Sequence, residues 1–351
     1  MDNLRIQKFG EIDLNDPFFD SLKAGYAEFS DWFRKKSEDN AVVLYNEFNQ
    51  VEGFLYCKFE SGPGDDTVPL LPKTSHMKVG TFKFNQKGTR RGDRYLKKIF
   101  DYAFKANVDD IYVTVFGAQH QYLVELFSRY GFVHYANKDT VNGREHVLLR
   151  DLHTVIGDVD KDYPLIDIRT NSKYLLAIQP FYHTKLFPDS KLVTESPNIV
   201  QDISHSNSIH KIYICSIKQV MDFKRGDVIV MYRMKDPSGP AEYTAVATSL
   251  CVVEGVHTID MYRTAEDFVA ECVKFSVFDE AELRTIYRER KYTYIVNFTY
   301  NVALPKRPNR RRLADEIGLD RDERWSCMPL SDVQFNQLLS ISEVNPKFIV
   351  S

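Results

Sequence analysis

The sequence predicts an α+β protein of two domains: a mixed sheet with flanking helices, followed by a β-barrel domain with helical insertions. Three observations lead there. The 351 residues exceed what one hydrophobic core commonly holds. Residues 1–152 alternate strand-period and helix-period segments. Beyond them, strand runs rich in β-branched and aromatic residues dominate, with short capped helices between them.

In chain order, "LRIQKF" reads as a strand. "NDPFFDSLKAGYAEFSDWFRKK" reads as one helix, with Asp16 as cap, Pro17 at the first position and Leu22, Tyr26, Phe29 and Phe33 on its apolar face. "AVVLYNEF" and "VEGFLYCKF" pair as a hairpin around Asn49–Gln50, and "HMKVGTFKF" is the next strand. The stretch "KGTRRGDRYLKKIF" then opens a helix. Leu96, Ile99, Phe100, Ala103 and Ala106 form its apolar face, and Lys97, Lys98, Asp101 and Lys105 its wet one. "DIYVTVF" is a strand, "HQYLVELFSRYGF" a helix stopped by Gly131, and "REHVLLRDL" a closing strand. Polar "HTVIGDVDKDYP", residues 153–164, is expected as a linker. "KIYICSI", "DVIVMYR", "EYTAVATSLCVV" and "YTYIVNFTY" supply later strands. Thr264 and Asp279 cap two helices, and "SDVQ" is a capping box.

Composition limits the function. Net charge is −3, so any attraction to nucleic acid must be local. The five cysteines (57, 215, 251, 272, 327) lack CxxC spacing and read as buried thiols. His183, His205, His210 and His257 lack metal-ligand spacing, so no metal is expected. The polar "MDNLRIQKFG" is no signal peptide and no run approaches a membrane span, so a cytoplasmic protein without membrane contact is expected.

Six cations (Lys87, Arg90, Arg91, Arg94, Lys97 and Lys98) gather at the start of a helix, where the macrodipole disfavours them. An anionic ligand held by the first backbone amides and by arginines resolves the conflict; a solvated surface is the alternative. The order of elements resembles the GNAT N-acyltransferase superfamily over residues 1–152. The family's pyrophosphate turn, Q/R-x-x-G-x-G/A, aligns with Thr89-Arg90-Arg91-Gly92-Asp93-Arg94; the central glycine matches, while Thr89 and Arg94 depart from the pattern. The resemblance implies acetyl-CoA as acyl donor, held by Phe82 and Phe84 on the preceding strand and by Arg90, Arg91, Gly92, Asp93 and Arg94. A second landmark, N-x-x-A-x-x-L-Y-x-x-x-G-F, aligns with "HQYLVELFSRYGF". His120 replaces its Asn and Phe127 replaces the Tyr that often serves as general acid. A phenyl ring cannot protonate a thiolate. His120, Tyr122 or Tyr130 could take that part, or positioning alone could suffice. His120 is either a helix cap or a site residue; Tyr130 lies in an apolar register.

"FKRGDVIVMYR" followed by "AEYTAVATSLCVV" resembles a PUA-like domain of the ASCH and EVE kind over residues 165–351. The resemblance implies a pocket that reads a base. In "LAIQPFYHTKLFPD", Tyr182, His183 and Lys185, with Phe181, either contact a nucleobase or pack the barrel. "PKRPNRRRL" carries Lys306, Arg307, Arg310, Arg311 and Arg312, and its prolines argue against a helix. It lies along RNA or DNA phosphates or is a solvated loop. The fusion implies acetyl transfer to an amine, with an RNA-linked one (an aminoacyl-tRNA or a modified nucleoside, as in toxins acting on charged tRNA) fitting it. A catalytically inactive, CoA-sensing regulatory or defence protein and a protein N-acetyltransferase are the alternatives. Oligomeric state is not legible.

Overall fold

The computed structural model describes residues 3–62, 66–72, 75–85, 91–187, 190 and 208–351. The chain divides into two compact units, Met1–His153 and Thr154–Ser351.

In the first unit, β1 (Asn3–Lys8) leads to a 3-10 turn at Pro17–Phe19, then α1 (Asp20–Gly25) and α2 (Phe29–Lys35). The Asp16 carboxylate accepts from Phe18 N, so the expected cap and proline are in place. The expected single helix is nevertheless broken. Gly25 ends α1 and Tyr26 is extended (φ −135°, ψ 103°), which frees its ring from the helix and lays it 5.6 Å from Phe116. Then β2 (Asn40–Tyr45) and β3 (Val51–Ser61) form the expected hairpin, with Asn49 at φ 57°. Next come β4 (Ser75–Phe84), α3 (Arg91–Lys105), β5 (Asp110–Val115), α4 (Gln121–Arg129), β6 (Val133–Thr140) and β7 (Gly143–Asp151).

Among the described residues the strands run β1-β2-β3-β4-β5-β7-β6, with β4 and β5 the parallel pair. The core on one side gathers Phe9, Phe19, Phe29, Phe33 and Phe54, with edge-to-face rings that favour the packing. On α3, Leu96, Ile99, Phe100 and Ala103 are buried as expected. Lys97, expected on the wet face, is buried too, at 6% exposed; its ammonium lies 3.1 Å from Asp101 one turn on, and the aliphatic stem is enclosed.

In the second unit, the segment expected as a linker carries α5 (Val159–Asp162). The Asp162 carboxylate takes the amides of Ile156, Gly157 and Asp158, and the buried Tyr163 donates to Tyr300 O at 3.2 Å. There follow β8 (Ile166–Asp167), β9 (Lys173–Ile178), α6 (Pro180–Leu186), β10 (His210–Cys215) and β11 (Val228–Arg233). After α7 (Ala241–Thr244) come β12 (Val246–Thr258), α8 (Ala265–Cys272), α9 (Glu280–Glu289) and β13 (Tyr294–Ala303). The chain continues through α10 (Arg310–Asp315), β14 (Cys327–Leu330), α11 (Asp332–Ile341) and β15 (Ile349–Val350).

A sheet in the order β10-β13-β12-β11-β9-β14 forms the body, and β8 pairs with β15. It is β-rich with helical insertions, as expected. All three expected caps are present: Thr264 to Asp267 N, Asp279 to Glu282 N, and Ser331 to Gln334 N. At the Gly226-Asp227 turn, Gly226 takes φ 93°. The Asp227 carboxylate accepts from Lys224 N and Ser172 N, locking the parallel β9 and β11 in register.

Candidate functional site

Strands β4 and β5 pair only from His76–Asp110 to Val79–Val113; past that point they part. A cleft of about 390 Å³ opens there. Its lining comes from β4 (Gly80 to Lys83), β5 (Val113 to Val115), Phe116, the break between α1 and α2, the start of α4 and one residue of β7.

That residue is Glu145, 6% exposed. It lies on the strand face shared by Val147 and Leu149, where a carboxylate is out of place unless it has work or partners. Tyr26, brought there by the break in the helix, donates its hydroxyl to Glu145 Oε1 at 3.5 Å. Burial first, and then the Glu145 charge, pushes the Tyr26 phenol up to about 12, so it remains a donor. Neither residue was singled out from the sequence. A usable signal existed for Glu145, a charge in the apolar register of a strand, but none for Tyr26, whose spacing reads as ordinary helix.

His120 occupies the N-cap position of α4, makes no capping bond with its side chain, and lines the cleft beside Tyr122, ring to ring at 6.2 Å. Phe127 is fully buried and packs against Phe82 at 5.1 Å and Phe132 at 4.9 Å. Tyr130 is fully buried away from the cleft lining, its hydroxyl donating to Asp93 Oδ1 at 2.7 Å. That bond pins the end of α4 to the first turn of α3, where an acid also suits the dipole.

The basic stretch is resolved into unequal parts. Lys87 and Arg90 lie outside the described residues, as does the side chain of Arg91. Arg94, expected to touch the donor's phosphates, is buried at 3% exposed, like Lys97 on the same helix. Gly92 is where the helix start is tightest: a Cβ there would stand 2.8 Å from Leu126 Cδ2 and 3.3 Å from Phe84 Cζ. Phe84 and Phe82 stand together at 5.5 Å.

In the second unit, α6 separates the residues expected to meet a base. Phe181 is exposed with the Lys185 ammonium 4.2 Å over its ring. Tyr182 lines a cavity of about 510 Å³ with Tyr213, Phe278, Tyr292 and Trp325, the last covered by the Arg310 guanidinium at 3.9 Å. His183, expected as a base contact, is fully enclosed: its Nε2 meets Thr248 Oγ1 at 2.8 Å. It sits on the inward side of the helix, which periodicity over seven residues does not reveal. Burial, with Arg233 and Arg307 adding to it, holds its imidazole down to about 3 from the ordinary 6.5.

The unfolded chain therefore binds a proton at this residue between about pH 6.5 and 3 that the folded chain does not. Stability from His183 is complete above pH 6.5 and falls on acidification through that window, by up to about 1.4 kcal/mol per pH unit. His183→Gln should remove that part of the slope. Denaturant unfolding of both proteins at several pH values checks it, and parallel slopes would refute it.

The basic segment 305–313, expected to avoid helix, enters one. Pro308 stands outside it, and Asn309 caps it by accepting from Arg312 N. Four of its five cations face acids in the described pairs: Lys306 with Glu343 at 2.5 Å, Arg311 with Asp315 at 3.4 Å, Arg312 with Glu316 at 2.5 Å, and Arg310 near Glu242 at 4.0 Å. Asp315 and Glu316, one turn beyond two of the arginines, were visible in the sequence as partners.

No protein-family profile matches this sequence, and no curated protein sequence matches it. Solved structures similar to the chain include ASCH from Zymomonas mobilis, with 9% identity over 48% of this chain and 94% of that chain and a TM-score of 0.32. They also include Ard1 from Thermoplasma volcanium, with 14% identity over 43% and 97% and a TM-score of 0.32. A third is an aminoglycoside acetyltransferase in complex with coenzyme A and kanamycin, with 11% identity over 43% and 95% and a TM-score of 0.32. These similar structures are acetyltransferases and ASCH proteins. No described helix is long and apolar enough to cross a membrane.

Proposed function

We propose that the first unit transfers an acetyl group from acetyl-CoA to an amine, and that the second unit binds the RNA that carries this amine. The observation that carries the reading is the parting of β4 and β5 beyond Val79 and Val113, with the first turn of α3 following β4 and Glu145 and His120 lining the opening. Gly80 to Lys83 line that opening past the last pair with β5, where the amides of an extended pantetheine would run. The first turn of α3, which begins at Arg91 after β4, offers the kind of helix start that suits its pyrophosphate.

In the reaction the amine nitrogen attacks the thioester carbonyl carbon, a C–N bond forms, and the C–S bond breaks. Glu145, which accepts a hydrogen bond from the Tyr26 hydroxyl, holds the incoming ammonium and takes one proton from it, so that the neutral amine attacks; the second proton leaves nitrogen for solvent as the C–N bond forms. The leaving thiolate takes a proton from His120, which lines the cleft together with Tyr122, since Phe127 has none to give. Acetyl-CoA titrated into the full chain by calorimetry, followed by acetyl transfer to total RNA and to lysate, tests the reading. Absence of binding by acetyl-CoA and longer acyl-CoAs defeats it. Buried Phe127, with no hydroxyl to offer, favours a second reading, a CoA sensor. Binding without transfer to any amine would select that one.

For RNA, the support is the aromatic cavity beside Tyr182 and Arg310, since a base stacked on an aromatic ring contributes about 1–3 kcal/mol. The cations of α10 are already matched by carboxylates, so RNA must displace intramolecular partners. Asp315→Asn together with Glu316→Gln is expected to tighten RNA binding and to steepen the fall of log K with log salt by roughly one to two units, at about 0.7 per phosphate contact of a single strand. Filter binding across a salt series measures this, and an unchanged slope would show that α10 touches no phosphate.

A further inference from the structure

We propose that Asp160, His210 and Glu254 form a binding site in the second unit for a divalent transition-metal ion of the zinc type. Far apart in sequence, the three come from α5, from the first residue of β10 and from β12. Both strands pair with β13, and His210 stands opposite Thr299. Glu254 is the extra residue where the β12 register shifts, between Val253 opposite Phe298 and Gly255 opposite Asn297. A bulge of this kind breaks the alternation of side chains and re-aims one of them. Here it turns a carboxylate toward the imidazole of a strand two places away in the sheet.

The donor atoms converge. His210 Nδ1 lies 2.6 Å from Glu254 Oε1 and 4.0 Å from Asp160 Oδ1, and all three ligand atoms lie within 4.8 Å of one another. Bonds of about 2.0–2.2 Å to a tetrahedral ion would set neighbouring ligand atoms about 3.3–3.5 Å apart. The separations of His210 from Glu254 and from Asp160 bracket that spacing, and each differs from it by less than about 1 Å.

A histidine–glutamate pair alone needs no second acid. Asp160 nevertheless adds one, and two like charges at this range repel unless a cation or a shared proton lies between them. Arg225 explains only the far side of the cluster: it donates to Asp160 Oδ2 at 3.4 Å and to the Glu254 main-chain oxygen at 3.1 Å. Oδ1, the oxygen turned to His210, is shielded from solvent and receives a hydrogen bond from no described donor. Arg225 therefore plays the part of an outer-shell residue, orienting a ligating carboxylate by its non-ligating oxygen. Two carboxylates balance a divalent charge, and an imidazole ligand selects zinc-type ions over magnesium and calcium. All three side chains are partly buried, which leaves an entry path and a fourth position open to water. Such an ion would tie α5, at the start of the second unit, to its main sheet.

The test uses the full chain, stripped with a chelator and titrated with Zn²⁺ against a chromophoric competitor near neutral pH. One equivalent should bind, raise the thermal unfolding midpoint, and not be displaced by Mg²⁺. Asp160→Asn, His210→Ala and Glu254→Gln should each weaken binding at least about tenfold, whereas His153→Ala, an exposed imidazole in the first unit, should not. Co²⁺ in place of Zn²⁺ should give the visible absorption of a tetrahedral site, lost in the same variants. Should His210→Ala fail to fold, the near-isosteric Asp160→Asn decides. Absence of tight Zn²⁺ binding in the wild type, or equal affinity in wild type and Asp160→Asn, would show an ion-paired cluster only and overturn the proposal.

Discussion

Glu145→Gln is expected to lower acetyl transfer by about 10²–10⁴-fold, the range for loss of a positioned proton acceptor, while acyl-CoA affinity stays unchanged. The amide keeps the size of the side chain and its bond from Tyr26, but it neither holds an ammonium by charge nor takes a proton. Because the side chain is buried in the cleft wall, solvent cannot replace it directly. Steady-state kinetics with the amine identified from lysate, alongside calorimetry with acetyl-CoA, separates the two effects. Tyr26→Phe should give a smaller loss, since it removes only the hydrogen bond at 3.5 Å. Turnover by Glu145→Gln equal to wild type would take Glu145 out of the mechanism.

Gly92→Glu should weaken acyl-CoA binding by at least about 100-fold, or about 2.8 kcal/mol. The substitution places bulk and negative charge at a helix start proposed to hold a pyrophosphate. Part of the effect is packing, because the new Cβ would meet Leu126 at 2.8 Å. Gly92→Ala isolates that part: overpacking of this kind costs about 1–3 kcal/mol of stability but adds no charge. Lys105→Ala, at the exposed far end of the same helix, serves as the control and should bind as wild type does. Calorimetry measures affinity, and thermal unfolding shows that each variant is folded. Retained affinity in a folded Gly92→Glu protein would remove the start of α3 from the donor site.

Much of the second unit was legible because its signals are local. Thr264, Asp279 and Ser331 cap helices through bonds that reach three residues along the chain. The Gly226-Asp227 turn needs a residue tolerant of φ 93° followed by a short acceptor. Misreading α10 came from weighing Pro308 as a breaker when it stands ahead of the cap. In the first unit, the alternation of strands and helices was readable, but the break at Tyr26 was not. Tyr26 keeps helical spacing with Leu22 and Phe29, and what draws it out is a ring and a carboxylate far along the chain, Phe116 and Glu145.

The sequence by itself determined the caps at Asp16, Thr264, Asp279 and Ser331, the apolar face of α3 at Leu96, Ile99, Phe100 and Ala103, and that cations gather at residues 87–98 and 306–312. Tertiary structure decided what those charges meet. It enclosed Arg94 and Lys97, set Arg311 and Arg312 against acids, buried His183, and joined Asp160, His210 and Glu254. The physical reason is range. Caps, turns and helical pairs depend on neighbours within about four residues. Burial and convergence depend on which strands lie side by side and on a bulge that shifts one of them by a single residue, and no local spacing records either.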